Sequence, residues 1–268
     1  MRNMVQIRGT ILAPFFLWAV GGVIAFLAIT AAVNPAGPFM GVAQSPLRIA
    51  YWHGYVFLVE LPIALLLLMA YLRREEWRAP PGRYVPGRKY PALSTWHLTA
   101  IAIMAAFYAG TGFIVGVTNI DIVALVTALL AVYFGPLVAL ISVIVGAVIR
   151  FALGGLPFVA PAGILAFAVS DACRWAIIGS VYWFLVRARG RGVKTAGYWL
   201  IMIPVALLVH GGSIIMSFWA QGPLEWVVGN ISFMAFWYPT SIISYVIGMA
   251  AAEGLHRATV RTPTTVKA

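Results

Sequence analysis

Eight apolar runs, separated by connectors that gather nearly all of the charge, leave this chain few folds to choose from. The runs fall at roughly 9–33, 51–72, 97–117, 120–134, 136–153, 160–186, 196–219 and 227–252. A helix crossing a bilayer needs about 20 consecutive apolar residues, and most of these runs approach or exceed that length. The fourth is short. From Asp121 to Phe134 a helix rises only about 20 Å, against a hydrocarbon layer of about 30 Å, so it is expected to tilt among protein neighbours or to cross only in part. Of the 268 residues 62% are hydrophobic and 9% charged, where a soluble domain carries about 25% charge. The expected fold is an all-α polytopic membrane helical bundle of eight spans, two amino-terminal helices plus a six-helix unit.

A net charge of +11 would point to nucleic acid in a soluble protein. Here the cations cluster in alternate connectors, which makes them a topology signal, and no nucleic-acid partner is expected. Arg2 and Arg8, then Arg73, Arg74, Arg78, Arg83, Arg88 and Lys89, then Arg187, Arg189, Arg191 and Lys194, then Arg257, Arg261 and Lys267 fall on one side. Arg48 is alone in the loops of the other. The positive-inside rule then predicts eight spans with both termini cytoplasmic. Trp52, Trp96, Trp199, Trp219 and Trp226 lie near span ends, as interfacial anchors do. The Pro-rich, charged segment 73–95 divides the chain. Four parts are expected: a two-helix membrane unit at 1–72, a basic cytoplasmic linker at 73–95, a six-helix membrane domain at 96–256 and a cytoplasmic tail at 257–268.

The sequence carries no Walker A loop, HExxH, CxxC or GxSxG pattern, and no close pair of carboxylates within one span. Neither an enzyme nor a cofactor or metal site is expected. Cys173 is the single cysteine, which excludes an intramolecular disulfide. Ionisable groups at membrane depth are costly and so few that each is informative. Asp171 and Arg174, three apart in the sixth span, share a helix face and suit either a structural ion pair or a ligand contact. Arg150 ends the fifth span, where it either snorkels to headgroups or meets an anion. Glu60 in the second span is expected to contact another helix or a neighbouring subunit. His210 and Ser217 on the seventh span, with Asn230, Phe233, Met234, Trp237 and Ser241 on the eighth, suit a small-molecule pocket or plain helix packing. On the third span Ala102 with Ala106, and Ala105 with Ala109, form two AxxxA pairs that permit close helix approach, within the protein or against another.

Three stretches carry a family resemblance: LTAIAIMAAFYAGTGF at 98–113 after a basic segment, VTNID at 117–121, and YFGPLVALISVIVGAVIRFALGG at 133–155. In this order, within six helices whose ends share one side, they resemble the substrate-binding S components of energy-coupling factor (ECF) transporters, over about residues 95–256. The resemblance implies a non-enzymatic subunit in a bacterial or archaeal cytoplasmic membrane that captures a vitamin-like or other micronutrient. It would then join a transmembrane coupling subunit and two ATPase subunits. It implies docking through Ala102, Ala105, Ala106 and Ala109, and a pocket at Asn119, Asp121, Arg174, His210, Asn230 and Trp237. The two amino-terminal helices depart from the family's six. Met1-Arg2-Asn3 lacks the His that follows Met in the cobalt and nickel branch, which argues against those metals. The FGPL to GG stretch also resembles the membrane region of bacterial sensor kinases, and the rival expectation is a ligand-sensing or accessory membrane module.

Overall fold

The computed structural model describes residues 12–33, 46–80, 83–118, 122–155, 161–186, 188, 196–211 and 231–261. Its regular elements are helical throughout. Helix α1 (Leu12–Val33) is followed by α2 (Pro46–Tyr55), which runs through a π-helical turn (Val56–Glu60) into α3 (Leu61–Leu72). Next come the single turn α4 (Glu75–Arg78), α5 (Thr95–Thr118), and α6 (Ile122–Leu129) with its own π-helical end (Leu130–Phe134). Helix α7 (Pro136–Ala152) leads through a 3-10 turn (Pro161–Gly163) to α8 (Ile164–Val181), which ends in π-helix (Tyr182–Val186). Helix α9 (Ala196–Val205) passes into a π-helical stretch (Ala206–Gly211), and α10 (Ile231–Arg261) is the last described element.

Each apolar run read from the sequence thus holds helix. Among the described residues three segments, Leu12–Ile29, Ala50–Leu72 and Pro161–Val186, are long and apolar enough to cross a membrane, and Ile122–Phe134, Pro136–Ala152 and Ala196–Val209 are shorter apolar helices. By length and composition this is a multi-pass, all-helical membrane protein. The share of each long segment that is buried, 72% for Pro161–Val186, 33% for Ala50–Leu72 and 11% for Leu12–Ile29, makes α8 the central helix and α1 the peripheral one. Phe16, Leu17, Ile24 and Leu27 are exposed along α1, a surface that suits lipid and not water.

Helix α8 packs against α3, α6 and α7; α5 packs on α7 and α6, α10 on α6, and α1 on α3. Helices α2 and α3 therefore share one hydrophobic core with the later ones. Trp52 of α2 is fully buried, its ring against Gly163. Glu60 is buried too, hydrogen-bonded with Tyr55 and facing α8 near Cys173. The short α6 lies between α5, α8 and α10, with Ala124, Thr127, Ala128 and Leu130 inside the protein. Its length need not match the bilayer because protein surrounds it.

Glycines set the closest crossings. A Cβ on Gly146 of α7 would lie 2.8 Å from the Ala105 carbonyl oxygen of α5, and one on Gly179 of α8 would lie 2.8 Å from the Ala131 carbonyl oxygen. Gly248 of α10 stands closer still to the Leu125 carbonyl of α6, and Gly22 of α1 to the Leu58 carbonyl. The last contact has a local cause. Pro62 has no N–H to give the carbonyl four residues back, which is that of Leu58. The chain relaxes into the π turn, where the Leu61 N–H bonds the Val56 carbonyl, and the bare backbone of α1 covers the freed oxygen. Without a hydrophobic drive between helices in lipid, such van der Waals contacts carry much of the association.

One end of the bundle is closed by aromatic rings. The Tyr71 hydroxyl at the end of α3 donates to the Trp77 carbonyl at 2.7 Å, and Trp77 packs on Trp183 at 5.6 Å between centroids. Trp183 and Tyr133 each lie 5.5 Å from the buried His256 of α10, and Trp96 at the start of α5 meets Phe134 at 5.2 Å. The ends of α3, α6, α8 and α10 and the start of α5 are thereby gathered together, with Arg73, Arg74, Arg78 and Arg257 at the same end.

Candidate functional site

The buried charges of α8 form a polar cluster that joins two helices. Asp171 and Arg174 face one way because three residues make most of one helical turn, and they form the ion pair that their spacing allows. The same carboxylate accepts two further hydrogen bonds. Tyr108 of α5 donates its hydroxyl to Oδ2, and Trp175, one turn on, donates Nε1–H to Oδ1 at 3.2 Å. The Arg174 guanidinium lies 5.8 Å from the centre of the Trp175 ring, and that ring packs on Tyr245 of α10 at 5.9 Å. Asp171 and Arg174 are 4% and 8% exposed, so their charges are tolerated only because each is partnered.

A carboxylate that already takes three donors on its two oxygens is a poor general base. Its chemistry here is that of a clamp, joining α5 to α8 through Tyr108 and orienting Arg174. Helix α7 supports the clamp from behind: Tyr108 Cδ1 lies 2.8 Å from where a Gly146 Cβ would stand. Sequence reading missed Trp175, for which the i, i+4 spacing from Asp171 was the available signal, and Tyr108, 63 positions away, for which there was none.

Of the pocket residues implied by the resemblance, Arg174 is placed in this cluster. Asn119, Asp121 and Asn230 lie outside the described residues. His210 falls in the π-helical stretch Ala206–Gly211 and Trp237 on α10, with their side chains outside the description. Arg150, weighed as an anion ligand or a snorkelling end, does a third thing: it is buried and donates Nε–H to the Gly155 carbonyl at 2.9 Å, closing the end of α7. Gly154, with φ +76°, supplies the left-handed turn there that a side chain disfavours.

The four alanines of α5 separate into two faces. Ala105 and Ala109 are buried, with α7 packed on that side through Gly146. Ala102 and Ala106 are exposed. Gly110, one turn beyond Ala106, has nothing within 4 Å of its Cβ position, so a groove of three small residues runs along α5 beside the exposed Ile103 and Phe107. Sequence reading found the alanines and missed Gly110, whose spacing of four from Ala106 was the available signal. No family model matches the chain, and neither a curated protein nor a solved structure shows a significant match.

Proposed function

We propose that this chain is the substrate-capturing membrane subunit of an ATP-driven importer of the ECF type, taking up a vitamin-like or other small micronutrient. In this reading the eight apolar runs cross a bacterial or archaeal cytoplasmic membrane, and the positive-inside rule puts the ring-closed, basic end on the cytoplasmic side and both termini in the cytoplasm. The observation that carries the proposal is the face of α5: Ala102, Ala106 and Gly110 form a shallow groove that nothing in the described chain fills. Small residues four apart let a second helix approach closely enough for dense van der Waals contact in lipid. The partner is a transmembrane coupling subunit, itself joined to two ATPase subunits, since this chain carries no phosphate-binding loop.

Replacing Ala102 and Ala106 with Trp should fill the groove. Association with the coupling subunit is then expected to fall by about tenfold or more, the equivalent of at least 1.4 kcal/mol of lost helix contact. Uptake in cells should fall with it, while ligand binding by the isolated subunit stays at its original level. Equal loss of binding and uptake would show that the groove serves internal packing. Normal ligand binding with no detectable coupling subunit or ATPase in the purified complex would favour the sensing module.

The pocket is proposed where α9 and α10 leave the end opposite the aromatic rings, with Asn119, Asp121, Arg174, His210, Asn230 and Trp237 as its residues. Mass spectrometry of the purified protein should identify a retained small molecule. Alanine at His210, Asn230 or Trp237 is expected to weaken its binding roughly 5- to 150-fold, from about 1–3 kcal/mol per lost aromatic wall or unpaired polar group. Unchanged affinity in all three variants would move the site elsewhere.

A further inference from the structure

The segment between α4 and α5 holds a preformed turn. Tyr90 is 7% exposed, and its hydroxyl accepts the Val85 N–H at 2.9 Å and donates to the Arg83 carbonyl at 2.8 Å. Inside that clasp the Arg88 N–H bonds the Val85 carbonyl at 3.2 Å, and Gly87 takes φ +83°, a left-handed conformation that glycine adopts without strain. Arg88 stacks over the Tyr90 ring at 5.7 Å, and Tyr84 packs near it at 5.9 Å.

The turn presents two kinds of side chain outward. Tyr84 and Val85 are 44% and 52% exposed, and Leu93 further on is 40% exposed. Arg83, Arg88 and Lys89 flank them, all exposed. Their charge is uncompensated locally: Glu75 and Glu76 pair with Arg78 and Arg74, and the sequence has no further acidic residue before Asp121. The position is fixed as well. Tyr71 and Trp96, which bracket the segment, both reach the Phe134–Pro136 turn, Tyr71 against Gly135 and Trp96 against Phe134. The turn therefore lies at the end of the bundle where two apolar helices finish and begin.

We propose that the turn 83–90 is a membrane-interface anchor that seats Tyr84 and Val85 among lipid headgroups while Arg83, Arg88 and Lys89 bind anionic phospholipid. Aromatic rings and cations favour the same layer, the aromatics for its mixed polarity and the cations for its negative potential. Each cation near an anionic surface is worth about fivefold in affinity. The clasp formed by Tyr90 makes the turn rigid before it meets lipid, so little ordering cost opposes binding. The anchor is independent of any role in import.

The test uses the full chain in nanodiscs of phosphatidylcholine with or without phosphatidylglycerol, with a nitroxide on Val85→Cys. With phosphatidylglycerol present the label should report headgroup depth by its accessibility to oxygen and to a water-soluble nickel chelate. Raising salt from 0.1 to 1 M, which cuts the screening length from about 10 to about 3 Å, should move the label toward water. Combining Arg83→Gln, Arg88→Gln and Lys89→Gln should do the same and cut phosphatidylglycerol retention at least fivefold in lipid analysis of the purified protein. A label that reads fully aqueous with either lipid overturns the proposal. So does headgroup depth that ignores lipid charge, salt and the three substitutions. A label immobilised only when a partner protein is added assigns the turn to protein docking instead, and also overturns it.

Discussion

Asp171→Asn is expected to remove most of the folded protein. The substitution keeps the shape of the side chain and deletes its charge, so the buried Arg174 loses the carboxylate charge of its ion pair. Breaking a buried pair by removing one partner costs about 3–5 kcal/mol, because the remaining charge keeps its desolvation penalty and loses its compensation. The Tyr108 hydroxyl loses a charged acceptor at the same time, worth a further 1–2 kcal/mol by the usual gap between charged and neutral hydrogen bonds, about a factor of ten. Monodisperse yield in detergent and unfolding in denaturing micelles should both report the loss. Asp171→Asn with Arg174→Met should recover much of it, since an apolar pair of similar volume is often as stable as the ion pair it replaces. Wild-type yield and stability for Asp171→Asn alone would refute the clamp and return Asp171 to the list of ligand contacts.

Gly146→Ala should destabilise the centre of the bundle, where α5 and α7 cross. The new Cβ would stand 2.8 Å from both the Ala105 carbonyl oxygen and Tyr108 Cδ1, and 3.0 Å from Tyr108 Cβ. A carbonyl in a helix cannot step aside, so α5 and α7 must separate or Tyr108 must turn. Overpacking of this kind costs about 1–3 kcal/mol. If Tyr108 turns, the clamp on Asp171 is lost with it. The double variant Gly146→Ala with Tyr108→Phe distinguishes the two routes: a combined loss smaller than the sum points to the tyrosine, and simple additivity points to helix separation. Gly21→Ala is the control, because its Cβ would meet nothing within 4 Å. Replacing a helical glycine by alanine in open space should be neutral or gain up to about 1 kcal/mol. A thermal shift for Gly146→Ala no larger than that for Gly21→Ala would dispose of the close α5–α7 crossing.

How far the sequence reached depends on the range of the interaction that decides each feature. Apolar runs of helix length are local, so the helices and their approximate limits were readable, as was the pairing of Asp171 with Arg174 within one turn. The π turn at Val56–Glu60 was locally encoded as well, in Pro62 and the carbonyl it strands, although a pattern of hydrophobicity does not display it. Everything that depends on which helix meets which was out of reach. The amino-terminal helices read as a unit set apart by a charged linker, yet α3 lies on α8 within the same core. Four alanines on α5 read as one docking face, and tertiary packing spends Ala105 and Ala109 on α7 while leaving Ala102 and Ala106 outside. Arg150 read as a possible headgroup or anion ligand until the turn at Gly154 and Gly155 brought a carbonyl within its reach. The sequence by itself determined that this chain is helical and built for lipid, because the cost of unpaired backbone in hydrocarbon acts on every segment separately. Only the tertiary structure decided which small residues are contacts and which other helices reach the buried charges, because in a bundle without a hydrophobic drive between helices those choices rest on shape, and shape is set by residues far apart in the chain.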